Sequence, residues 1–165
     1  MSTDADYLNF KRRFDQSHGK LKLPPGCVEQ KPPTATNKHL YSWTFDWVLV
    51  FTDDNKYLRV RESHEKAAGL ALSRRMGFVL HYGPIVQRDT DGNIIRQSND
   101  PVDIRIDNSH GHVHMHYQAP DPHYAQENIK GLTLESLDML AFVRAVFQHR
   151  KSGKPISEIL GFQIG

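Results

Sequence analysis

Histidines occupy alternate positions in one short segment of the chain: His110, His112, His114 and His116. In an extended strand, side chains two residues apart point to the same face of the sheet. At least the last three imidazoles should therefore lie side by side, while Val113 and its alternate neighbours face the core. Imidazole titrates near neutral pH and is a common metal ligand, so this row is suited to proton transfer, metal binding or phosphate binding.

The strand before these histidines carries complementary charges. Apolar residues alternate with Asp103, Arg105 and Asp107 between positions 102 and 107. A four-residue turn over 108–111 would oppose three charged residues to three histidines: Asp107 to His112, Arg105 to His114 and Asp103 to His116. A turn longer or shorter by two residues would leave the same side chains on each face of the hairpin but would change which residues oppose each other. A register shift by one residue would instead move every side chain of one strand to the other face.

Metal-independent cleavage of RNA is the function that this polar face favours. One neutral imidazole would take the proton of a ribose 2′-hydroxyl, and a second, protonated imidazole would donate one to the leaving 5′-oxygen. His114 and His116 are assigned these roles in either order. Arg105 would stabilise the charge that develops on the phosphate, and Asp107 would orient His112 or His114. This mechanism requires no cofactor.

Two other functions remain open for the same residues. His112, His114 and His116 could bind zinc or iron in a metal-dependent hydrolase or oxygenase, although Arg105 in their midst opposes a divalent cation. The protein could also be a non-enzymatic binding or adaptor subunit. Single histidines on a half-exposed sheet are usually surface residues, but several in register with arginine and aspartate favour a functional site.

The segment from Ile106 to His116 resembles the strand signature of the TumE-like toxin components of bacterial toxin–antitoxin operons. In that family, a strand ending in Asp-Asn leads through a glycine-containing turn to a His-x-His pair. Asp107, His114 and His116 match those positions, and the preceding hairpin around Asp91 also fits the layout. The resemblance implies a small α+β toxin that acts on RNA and has a helix-turn-helix antitoxin protein as its partner.

Composition limits the class of protein. The 165 residues include 38% hydrophobic and 24% charged residues, and the formal net charge is only +2. These values predict one soluble globular domain, in which RNA binding would require a local basic patch. A single cysteine, Cys27, excludes an internal disulfide and a cysteine-based zinc site, and we expect its thiol to be inert. No segment predicts a membrane span or a signal peptide, which favours a cytoplasmic protein.

Hydrophobic periodicity and turn signals predict an α+β fold, a mainly antiparallel sheet with helices packed on one face. The single domain, 1–165, would comprise an N-terminal helix within 1–19, a proline-rich linker over 20–38 and an α+β core over 39–165. Predicted strands cover 41–51, 78–88, 102–107 and 112–118, with a hairpin turn at 91–93. Predicted helices cover 4–18, 62–76 and 133–151, and a short apolar tail follows.

Two expectations concern buried residues. Ile104 and Ile106 should point inward with Val113 and Met115, which would leave the charged side chains and the imidazoles on the opposite face. His81, in the strand over 78–88, is expected to be a hydrogen-bonded core or edge histidine rather than a catalytic one.

Overall fold

The structure, a computed structural model, describes a large part of the chain. The described residues are 12, 15–16, 21–39, 42–65, 74–97, 100–108, 114–119, 129–130, 139–161 and 163–164. The strands are β1 (Cys27–His39), β2 (Ser42–Phe51), β3 (Lys56–Glu65), β4 (Arg74–Pro84), β5 (Gln87–Arg88), β6 (Ile94–Ile95), β7 (Val102–Asp107), β8 (His114–Ala119), β9 (Ile129–Lys130) and β10 (Gln163–Ile164). Two helices lie wholly within the described residues, α1 (Met139–Ser152) and α2 (Ile156–Leu160).

Six of these strands form one sheet in the order β1-β2-β3-β4-β7-β8. Every neighbouring pair in this sheet is antiparallel. Two short pairs, β5 with β6 and β9 with β10, lie outside it. With α1 and α2 packed on the sheet, this is the predicted α+β fold with a mainly antiparallel sheet.

The main core lies between one face of the sheet and α1. Alternate residues of β2, including Trp47, Leu49 and Phe51, are buried against the helix, as their spacing predicts. From α1, Phe142 and Val146 occupy the same core and are completely buried. Since they are four residues apart, they lie on one side of the helix. Burying a side chain of this size contributes about 2 kcal/mol to stability.

The opposite face of the sheet is only partly covered. Val48, Val50 and Tyr57 form a second, smaller cluster there, with Ile85 and Ile94 packed against it. The latter two belong to the segment that folds into the β5–β6 hairpin, whose predicted turn over 91–93 is confirmed. The Asp89 carboxylate accepts hydrogen bonds from the backbone of residues 91 and 93 in this turn. Beyond the hairpin, this face carries the charged residues described below.

The predicted helix over 62–76 is wrong at both of its ends, and residues 66–73 lie outside the described residues. Residues 62–65 belong to β3 and residues 74–76 to β4, and both segments pair within the sheet. The acidic start and basic end of this segment imitate the charge pattern of a helix, but pairing within the sheet overrides that preference. Glu62 and His64 instead contact each other from the same side of β3, with Oε2 and Nε2 3.0 Å apart.

The predicted linker over 20–38 is also corrected. From Cys27 onward it forms β1, which lies at the edge of the sheet and pairs only with β2 in the described structure. The pairing register shifts between Lys31 and Thr34, where the two prolines of the strand lie. Proline cannot donate a backbone hydrogen bond, so strands that contain it are tolerated at sheet edges and at bulges.

The other predicted elements agree with the structure where they are described. Strands are confirmed over most of 41–51 and 78–88 and over all of 102–107, and the histidine strand covers 114–119. The predicted helix over 133–151 is confirmed from Met139 onward. In the predicted N-terminal helix, residues 12 and 15–16 are helical and the remainder lies outside the described residues. Within the described ranges, no helix is both long enough and apolar enough to cross a bilayer.

Candidate functional site

The faces of the β7–β8 hairpin are as predicted. Ile104, Ile106 and Met115 are 3%, 0% and 0% exposed and belong to the main core. Ile106 lies directly opposite Met115 in the sheet. Val113, expected beside them, lies outside the described residues. Arg105 and Asp107, which alternate with these residues, therefore lie on the face away from α1.

The partners across this hairpin differ from the prediction. His114 lies opposite Asp107, and His116 lies opposite Arg105. The connection between the strands spans 108–113, two residues longer than the predicted turn, so the pairing shifts while the parity is kept. The predicted opposition of Asp107 to His112, and of Arg105 to His114, is therefore wrong. The side chains of the histidines in this segment lie outside the described part.

The third predicted pair, Asp103 with His116, is also corrected. His116 pairs with Arg105, and the Asp103 carboxylate contacts the Lys56 ammonium at 2.5 Å. Asp103 thus neutralises a cation from β3. His110 and His112 lie outside the described residues.

The register of the sheet aligns functional residues across four strands. One row, from β3 to β8, consists of Arg59, His81, Arg105 and His116. The neighbouring row consists of Arg61, Val79, Asp107 and His114. Residues that oppose each other in an antiparallel pair lie on one face of the sheet. The two histidine positions of β8 thus continue a surface that begins with arginines on β3.

A cavity of about 200 Å³ opens on this surface, and we refer to it as the arginine pocket. Its lining consists of Tyr57, Arg59, Arg61, Val79, His81, Arg96 and Arg105. A second cavity, of about 400 Å³, lies next to it and shares Tyr57 and Arg59. It also includes Asn93 and Ile94 of the β5–β6 hairpin, so the hairpin forms one wall of the combined cleft.

Asp46 holds two arginines of the pocket in place. Its carboxylate accepts two hydrogen bonds from Arg59, one from Nε at 3.1 Å and one from Nη2 at 2.9 Å. Arg61 Nη2 lies at 3.3 Å and Lys31 Nζ at 3.0 Å from the same carboxylate. Burial alone would raise the pKa of Asp46, but the hydrogen bonds from Arg59 and Lys31 outweigh it and lower that pKa to about 2.

Asp107 holds a third arginine. Arg105 Nε donates to its Oδ2 at 2.8 Å, and the carboxylate side chain is only 2% exposed. Asp107 lies opposite His114, whose side chain is outside the described part, so its predicted role in orienting a histidine stays a prediction. Among the described residues, four guanidinium groups line the pocket and two carboxylates contact three of them. The surface therefore has an excess of positive charge.

His81 is the most unusual residue of the pocket. It is 2% exposed, and its ring stacks on Tyr57 with centroids 4.7 Å apart. The expectation of a buried histidine is confirmed, but neither ring nitrogen has a hydrogen-bond partner within the described part of the chain. Burial, followed by the charges of Arg105, Arg96 and the neighbouring arginine of β3, lowers its pKa well below 6.5. A buried polar group without a partner costs about 1–3 kcal/mol.

Arg96 supplies the fourth guanidinium. It follows the β5–β6 hairpin, and its buried Nε also lacks a hydrogen-bond partner among the described residues. Burial and then the charge of Arg105 lower its pKa from the ordinary value. Two polar side chains in one pocket thus carry donor or acceptor atoms that the described protein does not satisfy.

Four of these residues were not predicted from the sequence as site residues: Arg59, Arg61, Arg96 and His81. The signal for two of them was present. Arg59 and Arg61 alternate with buried Leu58 and Val60, which is a strand pattern. The signal for Arg96 was absent, because the fold of the hairpin brings that residue to the sheet.

The pocket is better suited to an anion than to a metal ion. Within the described residues, no group of three or more histidine, cysteine or acidic side chains is arranged to hold a metal. The alternative metal set, His112, His114 and His116, has side chains outside that part. Guanidinium groups beside it repel a divalent cation, whereas they bind carboxylate and phosphate oxygens in pairs.

The cysteine lies apart from this site. Burial, with a smaller contribution from Glu29, raises the pKa of Cys27 to about 11 despite the opposing charge of Arg150. The thiol thus stays protonated near neutral pH, which agrees with the expected inert residue.

No family model, curated protein or solved structure matches the chain. The resemblance of the hairpin to TumE-like toxins therefore stays a prediction. The features that bear on the function are the arginine pocket and the histidine strand beside it.

Proposed function

We propose that this protein is a metal-independent endoribonuclease that works on the open face of its sheet. The observation that carries the proposal is the row across four strands in which Arg59, His81, Arg105 and His116 oppose one another. It joins a pocket with an excess of guanidinium groups to a strand in which histidines alternate. Phosphodiester cleavage requires both a positively charged phosphate site and groups that transfer protons near neutral pH.

In the proposed mechanism, Arg105 contacts the scissile phosphate. Asp107, already bonded to Arg105, fixes the direction of that guanidinium, which lowers the entropy lost on binding. His114 and His116 act as general base and general acid, in either order, on the 2′-hydroxyl and the leaving 5′-oxygen. The bond from phosphorus to the 5′-oxygen breaks as the 2′-oxygen attacks, which leaves a 2′,3′-cyclic phosphate end.

The second cavity provides room for RNA beside the phosphate. It combines apolar side chains, Val48 and Ile94, with amide side chains, Gln30 and Asn93. Such a mixture is suited to a nucleobase, which has an apolar face and a polar edge. We also propose, following the resemblance of the hairpin, a cytoplasmic toxin whose partner is a helix-turn-helix antitoxin.

Incubation of end-labelled RNA with the protein in excess chelator tests the proposal. We expect cleavage with cyclic phosphate ends, reduced at least about 100-fold by His116→Ala or His114→Ala because general acid–base catalysis contributes that much. His149→Gln is the matched control: His149 contacts Tyr82 and the carbonyl of Lys154 on the helical side of the sheet.

Three results would overturn the proposal. Intact RNA in chelator, with cleavage restored by a divalent metal, would favour the metal-dependent alternative. RNA that is bound but never cleaved would favour the adaptor alternative. Cleavage that survives both β8 substitutions would remove the histidines from the mechanism.

A further inference from the structure

His81 and Arg96 share a pocket in which each has a buried polar atom without a partner in the described protein. Buried polar groups are almost always satisfied, so such atoms in a cavity mark a place where a ligand belongs. The cavity, about 200 Å³, is large enough for a tetrahedral anion. Three further guanidinium groups, from Arg59, Arg61 and Arg105, line the same cavity.

We propose that the arginine pocket is a binding site for a tetrahedral oxyanion of the phosphate class, and that His81 takes up a proton and donates a ring N–H to it. Arg96 would donate through its guanidinium from the opposite, hairpin side. The role of this site in RNA recognition, as the subsite for a phosphate next to the scissile one with Arg105 shared between the two phosphates, rests on the proposed function. The binding of an anion in this pocket does not depend on that function.

The coupling between proton and anion follows from the charges around the imidazole. In the free protein His81 is neutral, because burial and three arginine charges disfavour its protonated form. A dianion within hydrogen-bond distance would offset those charges and stabilise the imidazolium. By linkage, protonation of His81 must then strengthen anion binding by the same factor.

Among the described residues, the charged and titratable groups around His81 come from β3, from β7 and from the segment that follows β6. β3 contributes Tyr57, stacked on the imidazole, and Arg59. β7 contributes Arg105 with its partner Asp107. Arg96 comes from the segment after β6, where the carboxylates of Asp100 and Asp107 act on it electrostatically.

The arginines and the tyrosine beside His81 keep their charge between pH 5 and 8. Arginine stays protonated throughout this range. Burial, as the largest cause, raises the pKa of Tyr57 above its ordinary value of 10.0, so the phenol stays neutral. The Asp107 carboxylate accepts a hydrogen bond from Arg105 Nε. Histidine is the side chain whose ordinary pKa lies in this range, so a pH dependence of anion binding would report an imidazole.

The test is calorimetric titration of the intact protein with sulfate between pH 5 and 8. Sulfate stays a dianion over this range, so the ligand does not contribute to the pH dependence. We expect binding that tightens as pH falls, by no more than about tenfold per pH unit as the uptake of one proton requires. In parallel, the ¹⁵N resonances of the His81 ring should move toward the imidazolium position as sulfate is added.

Variants separate this site from the catalytic histidines. Arg96→Gln should weaken sulfate binding about tenfold, a loss of one charged hydrogen bond, while Arg144→Gln on the exposed side of α1 should not. His81→Gln should bind with an affinity that no longer depends on pH. A double variant, His114→Gln with His116→Gln, should keep the pH dependence of sulfate binding and lose RNA cleavage.

Competition identifies the source of the phosphate. Displacement of sulfate by a short RNA with a 5′-hydroxyl end would support an internal RNA phosphate. Displacement by inorganic phosphate alone would overturn the RNA assignment and leave a free-phosphate site. The proposal itself is overturned if sulfate does not bind, or if the His81 resonances do not move, or if binding is independent of pH in the wild-type protein.

Discussion

Two carboxylates decide the geometry of the arginine side chains on the open face of the sheet. Asp46 contacts Arg59 and Arg61, and Asp107 contacts Arg105. In the described structure, these contacts hold three guanidinium groups near one cavity despite their mutual repulsion. Side chains held in this way lose little freedom when an anion binds, which increases affinity.

Asp46→Asn should destabilise the protein in a pH-dependent way. The shift of the Asp46 pKa from 3.8 to about 2 corresponds to about 2 kcal/mol of folding free energy. Because the folded-state pKa is lowered, this contribution is complete above about pH 4 and is lost as pH falls toward 2. Urea unfolding of wild type and variant at pH 7 and at pH 3 measures it.

The control for this experiment is Asp91→Asn, in the exposed hairpin turn. It should change the free energy of unfolding by less than about 0.5 kcal/mol at either pH, as exposed substitutions usually do. An equal loss for Asp46→Asn at both pH values would show that the charge of Asp46 is not what stabilises the fold.

His81→Phe should stabilise the protein while it removes anion binding. The phenyl ring keeps the stacking on Tyr57 and removes two buried nitrogens that have no described partner. We expect the free energy of unfolding to rise by about 1 kcal/mol at pH 7 in buffer without phosphate or sulfate. His81→Asn, which keeps a buried polar group, is the control and should not stabilise. A less stable phenylalanine variant would mean that the imidazole is already satisfied.

Among the individual residues of the site, the charged residues of β7 were predicted from the sequence, but the residues that surround them in the fold were not. Arg105 and Asp107 were recognised because they alternate with isoleucines within one short strand. His81 was assigned to the interior correctly, yet its role depends on arginines that are distant in sequence. Contacts of this kind are set by strand order, which a local pattern does not contain.

Strand β4 is the element that organises the site, because it lies between the arginines of β3 and Arg105 of β7. It reaches this position only because the chain at 62–65 and 74–76 is extended rather than helical. The helix predicted there removed β3 from the predicted sheet, and the two pocket arginines of β3 were lost with it. By contrast, the two faces of the β7–β8 hairpin were predicted correctly, since its alternation is unambiguous. Its cross-strand pairs were wrong, because the connection is two residues longer than the predicted turn.

Two glycines of β4 allow its neighbours to approach closely. A Cβ on Gly83 would lie 3.1 Å from the Val102 Cα and 3.2 Å from the Asp103 nitrogen, whereas a Cβ on Gly77 would meet the Ser63 Oγ at 2.9 Å. A hydroxyl can rotate away, but the backbone of β7 cannot. We therefore expect Gly83→Ala to cost about 1–3 kcal/mol and Gly77→Ala clearly less.

Thermal unfolding of both glycine variants measures this difference, and sulfate titration of Gly83→Ala shows whether the pocket is disturbed. Both residues lack a positive φ, so the comparison isolates packing from backbone strain. A larger loss for Gly77→Ala would contradict the close approach of β4 and β7.

The two faces of the main sheet differ in character in the described structure. The helical side contains the main core, and the other side carries the hairpin, the arginine pocket and the histidine strand. The net charge of +2 does not reveal that four guanidinium groups line one pocket of the described structure. Composition predicted one globular domain, periodicity predicted the α+β class, and the location of the basic patch required the structure.

The most direct measurement of the central claim is RNA affinity in a set of variants that each remove one positive charge. Arg105→Gln and Arg61→Gln change the open face, while Arg144→Gln changes the exposed side of α1. If RNA binds at the arginine pocket, the first two should weaken binding about tenfold and the third by less than about twofold, measured at one salt concentration. An equal loss for all three variants would show that RNA responds only to net charge, and would contradict a specific phosphate site on this face.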